Sequence, residues 1–141
     1  MLDKRKYVDT LVKNFWKLGY MTVKRKYGTY LPEPEKVGEF DIDIVARQKK
    51  DYAIGITLTA EELSNPKLLE KIIYLATRHT KFSNRKVQLF LGVPSKHYKK
   101  IKLLIEHLED EVRRNIKLIS ITETTIPSIR RRKKTGNTLF A

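Results

Sequence analysis

An α/β fold with a mixed sheet, its elements in the order α-β-β-β-α-β-α-β, is what the 141-residue sequence predicts. Three observations point to it. Segments with apolar residues at helical spacing alternate with short runs of alternating or continuous apolar character. Two of those short runs flank a polar turn at Gln48 to Asp51, the pattern of a hairpin. The later half reads strand-helix-strand-helix-strand, which favours a partly parallel sheet with helices packed on it.

Taken in order, Val8, Leu11, Val12, Phe15 and Leu18 form one helical stripe over residues 3 to 18, and Gly19 is placed to end it. Trp16 adjoins that stripe and is expected in the core, with stacking on unpaired bases as the other use of Trp16, Tyr27 and Tyr30. Met21 to Tyr30 alternates basic with apolar or aromatic residues, as a half-exposed strand does. Leu31 to Gly38, with two prolines, reads as a loop. Phe40, Ile42 and Ile44 mark a second strand and Tyr52 to Leu58 a third. Asn65 and Pro66 open a second helix striped by Leu69, Ile72, Ile73 and Ala76. Val87 to Val93 is a strand covered on both faces. Pro94 and Ser95 open a third helix striped by Ile101, Leu104, Ile105, Leu108 and Val112, and Ile116 to Ile121 is the last strand. One domain over 1–123 is expected, followed by a basic tail over 124–141.

Thirty Lys and Arg stand against 16 Asp and Glu, a net charge of +14. Surplus positive charge of this size attracts polyanions, and nucleic acid is the expected partner. Lys24, Arg25 and Lys26, Lys49 and Lys50, Lys99 and Lys100, and the tail cluster Arg130, Arg131, Arg132, Lys133 and Lys134 are the candidate phosphate contacts. The absence of Cys removes thiolate chemistry and Cys-based zinc, and three scattered His lack ligand spacing. The longest apolar run, Ile72 to Ala76, is far short of the roughly 20 residues that cross a bilayer. No apolar stretch follows Lys4, Arg5 and Lys6, so a cytoplasmic protein with no membrane partner is expected.

The concentrated acidic feature is Glu39-Phe40-Asp41-Ile42-Asp43. On one strand face, Asp41 and Asp43 would suit a hard divalent cation such as Mg²⁺ or Mn²⁺. The same spacing suits an exposed polar face whose carboxylates neutralise nearby lysines. The order of elements, with an acid on the hairpin's first strand, resembles the PD-(D/E)xK nuclease superfamily, most nearly the archaeal Holliday junction resolvases. Leu11 to Val23 (LVKNFWKLGYMTV), Ile42 to Ala46 (IDIVA) and the hairpin through Lys50-Asp51-Tyr52 carry the likeness, which covers residues 5 to 93.

That resemblance implies a restriction-endonuclease-like sheet, a homodimer acting on branched or duplex DNA, and metal binding by Asp43, or by Asp41 in a shifted register. It puts the family's first-helix carboxylate near Asp9. Gly55 and Thr57 fall where the family has its second acid and its lysine, and the neighbouring register offers Ile56 and Leu58, so neither restores the motif. Glycine cannot ligate a metal, and a threonine hydroxyl is neutral. Two readings follow: a DNA-binding protein with a decayed catalytic motif and no cofactor, or a Mg²⁺- or Mn²⁺-dependent endonuclease using Asp43, Asp41 and a relocated Glu61 or Glu62. A third is an accessory protein that binds a protein partner.

Overall fold

Helix α1 (Lys4–Lys17) lies on one face of a five-stranded sheet, and the remaining helices lie on the other. The computed structural model describes residues 4–81 and 83–122. The basic tail, with Arg130, Arg131, Arg132, Lys133 and Lys134, lies outside them. The strands are β1 (Met21–Arg25), β2 (Ile44–Gln48), β3 (Asp51–Thr57), β4 (Gln88–Pro94) and β5 (Ile116–Ile121), arranged in space in that same order. The first three form an antiparallel meander, and β3, β4 and β5 are mutually parallel. The mixed α/β class is therefore as the sequence predicts. A bulge interrupts the β1–β2 register between Thr22 and Lys24.

Small residues decide how closely α1 approaches the sheet. Ala46, Ala53, Gly55 and Gly92 present little side chain on that face, so Leu11 and Phe15 press down against the backbone. A β-carbon on Gly55 would lie 2.8 Å from Phe15 Cε2 and 3.1 Å from Leu11 Cδ2. The helix ends in a Schellman motif, with Tyr20 N–H donating to Phe15 O (2.8 Å), Gly19 N–H donating to Trp16 O (3.0 Å), and Gly19 at φ +89°. That turn swings Tyr20 inward, where it packs edge-on against Phe15 and Phe90. Trp16, one residue beyond Phe15, is left 74 % exposed, which corrects the expectation that it packs in the core; Leu18 is exposed too.

Other departures have local causes. The first strand stops at Arg25, not Tyr30, because Tyr27 takes a positive φ of 63° and the chain turns. The second begins at Ile44, after a single bridge between Val37 and Phe40. Ahead of the second predicted helix lies a short α2 (Ala60–Leu63), and the helix itself, α3 (Leu68–Ala76), starts after Asn65 Oδ1 accepts the Lys67 N–H at 2.8 Å. The third opens with a 3₁₀ turn (Ser95–His97) and divides into α4 (Tyr98–Glu106) and α5 (Asp110–Arg114). His107 and Leu108 bond back three residues and Glu109 is extended at ψ 149°, so one stripe serves two helices. Among the described residues no helix is long and apolar enough to cross a membrane.

Candidate functional site

Asp43 sits just before β2 with its backbone clamped from both sides: its N–H donates to Gly55 O (3.0 Å) and its carbonyl accepts from Lys26 N–H (2.9 Å). The residue is 2 % exposed, and a buried carboxylate needs partners. Oδ2 accepts two hydrogen bonds from Thr57, from the backbone N–H at 2.7 Å and from Oγ1 at 3.0 Å. Oδ1 faces the ammonium groups of Lys4 at 3.4 Å and Lys26 at 3.8 Å.

Lys4 is the hub of this network. From the first turn of α1 its Nζ reaches Asp43 on one side and Glu62 Oε1, at 3.5 Å, on the other. Glu62 belongs to α2, folds back toward Thr59, and meets Lys71 of α3 at 3.4 Å. Burial works against the Lys4 charge, but the Asp43 and Glu62 carboxylates outweigh it and hold the ammonium above the ordinary lysine value.

Above this network opens a cleft of about 820 Å³ at the end of the sheet where β3 finishes. Lys4, Lys26, Lys67 and Lys71 line it, and so do Glu39, Asp41, Glu61 and Glu62. The two signs balance, and Asp43 adds a further negative charge beneath. The cleft therefore holds none of the molecule's positive surplus.

Of the residues singled out in sequence, Asp41, Glu61 and Glu62 share this cleft, with Asp43 joined to it through Lys4. Asp41 and Asp43 do not share a strand face: both precede β2, and Asp41 is exposed where Asp43 is buried. Asp9 is taken by the guanidinium of Arg25. Lys49 and Lys50 form the hairpin turn at the opposite end of the sheet, whereas Lys99 and Lys100 lie exposed on the first turn of α4, at the cleft's end, since β4 runs parallel to β3. Lys24 is half-buried in β1.

A Mg²⁺ or Mn²⁺ centre at Asp43 requires several oxygen donors with free lone pairs. Here Oδ2 is occupied by Thr57 and Oδ1 by two ammonium groups, while the face on which Gly55 would carry a second acid is closed by Phe15. Among the described residues no group of three or more His, Asp or Glu is placed to hold a metal ion. The donor set does not fit a metal centre at Asp43. Nothing in the sequence of a basic N-terminal helix marks Lys4 as the lysine that turns inward. For Thr57 the sequence offers only the resemblance, which implies a lysine at this position, and no sign of its bonds to Asp43. In comparisons with known proteins no family model matches the chain, and neither does any curated protein or solved structure.

Proposed function

We propose that this is a DNA-binding protein built on a restriction-endonuclease-like fold of the Holliday junction resolvase kind, with an ammonium group standing where the nucleases hold metal. The observation that carries this reading is Lys4 lodged between Asp43 and Glu62. The antiparallel meander leading into a parallel β4, with the acid just ahead of β2, supports the resolvase-like order. Its ligand is branched or duplex DNA, held through phosphate contacts by the uncompensated lysines and arginines, without base reading. It acts without a metal cofactor and as a homodimer, whose two-fold axis suits a symmetric junction.

A labelled four-way junction and a matched linear duplex, each incubated with protein and Mn²⁺ or Mg²⁺ and divided between native and denaturing gels, test it. Shifted but intact strands are expected, with the shift indifferent to the metal. Strand cleavage would overturn the proposal in favour of an endonuclease using Asp41 and Glu61, whose carboxylates line the cleft and have no ion pair among the described residues. Sedimentation velocity checks the homodimer against the 16.6 kDa of one chain.

A further inference from the structure

At the end of the molecule opposite the cleft, the α1–β1 connection and the β2–β3 turn meet: Gln48 Nε2 donates to Leu18 O at 3.2 Å and lies against Gly19. Lys13, Trp16 and Lys17 stand exposed at i, i+3 and i+4 of α1 beside this junction, and the turn adds exposed Lys49 and Lys50. No ion pair to a carboxylate engages any of these four lysines among the described residues, in contrast to the cleft, where three of four lysines are engaged. The indole is 74 % exposed, although α1 has an apolar side against the sheet where it would have been buried.

The turn also departs from what local stability favours. Lys49 holds a φ of +56°, a conformation that glycine or asparagine adopts more readily than lysine. An aromatic plane flanked by unpaired cations is the arrangement that stacks a nucleobase while neutralising its phosphates.

Resting on the DNA-binding reading above, we infer that Trp16, with Lys13, Lys17, Lys49 and Lys50, forms a site for single-stranded DNA, in which an unpaired base stacks on the indole. This site would favour branched over fully paired DNA without any direct base reading. An anionic membrane is the competing polyanion. It asks for a helix with its apolar side exposed, whereas Val8, Leu11 and Phe15 of α1 are buried against the sheet.

Trp16 is the single tryptophan of the chain, so its emission reports on this site alone. The full chain is titrated with oligothymidylate of about ten nucleotides and, separately, with a blunt duplex. Quenching by the single strand and none at saturation by the duplex is expected. Trp16→Ala should weaken single-strand binding about tenfold, Trp16→Phe much less, and neither should alter duplex binding. Because the indole is exposed, both variants should fold, as a thermal melt will verify. DNA that binds with unchanged emission, and equally well to Trp16→Ala, overturns this inference and leaves the DNA-binding reading standing. Failure of both probes to bind at about 0.1 M salt, near physiological ionic strength, overturns both. A blue shift on phosphatidylserine vesicles without a response to oligothymidylate overturns it in favour of a membrane site.

Discussion

At Asp43 and Lys4 two charged side chains are held away from water for each other's benefit, so removing one penalises the other. Lys4→Met should lower stability by about 1–3 kcal/mol, less than for a wholly enclosed pair because Lys4 keeps some access to solvent. Asp43→Ala should lower it by about 2–4 kcal/mol, since it strands the Thr57 N–H and hydroxyl as well; chemical denaturation measures both. The pH dependence has a definite sign. Lys4 is held above the ordinary value of 10.5, so its contribution is complete below that pH and fades as pH rises through the higher folded value. The gap in melting temperature between the parent and Lys4→Met should therefore be constant from about pH 6 to 9 and narrow only above about 10.5. Introducing an acid and a lysine of the nuclease kind as Gly55→Glu with Thr57→Lys should not yield cleavage on a denaturing gel. It should cost at least about 1–3 kcal/mol, because the new side chain meets Phe15. That an acid, Asp43, leads into the second strand and that a glycine stands opposite it on the third was legible in sequence. The lysine between Asp43 and Glu62 was not, because it is 39 residues from one partner and 58 from the other.

Elements were legible wherever apolar period alone determines them, as in α1, β4 and β5. They blurred where one stripe runs through a break, as in α4 and α5, whose apolar residues stay in phase although His107 to Glu109 leave the helix. What joins elements was not legible either. Asn115, buried between α5 and β5, donates from Nδ2 to Ala76 O at the end of α3 and to Val87 O just ahead of β4, both at 2.7 Å. One amide thus ties three segments, and its neighbours in sequence give no sign of that. Asn115→Ala leaves two enclosed carbonyls without a donor and should lose about 2–3 kcal/mol in a urea melt, with native-like circular dichroism retained below the transition.

For the whole molecule, the charge of +14 was the plainest signal in the sequence, but its location was not. The lining of the cleft that a nuclease comparison would choose is balanced, and lysines with no carboxylate partner among the described residues stand around Trp16 and the hairpin turn as well as at Lys99 and Lys100 by the cleft's end. On the proposed DNA-binding function, affinity for DNA should fall linearly with the logarithm of salt concentration, and Lys49→Glu with Lys50→Glu should flatten that line measurably. Lys49→Gly should do two opposite things: raise stability by about 0.5–1 kcal/mol by relieving the positive φ, and weaken DNA binding. The offset between Thr22 and Lys24 has a consequence of its own. β1 is an outer strand, and a straight outer strand is a template on which further chains add without limit. The bulge twists this strand out of register and places a lysine within it, which discourages ribbon growth. Deleting Val23 to straighten the strand should therefore turn a clear concentrated solution into one that deposits thioflavin-positive fibrils.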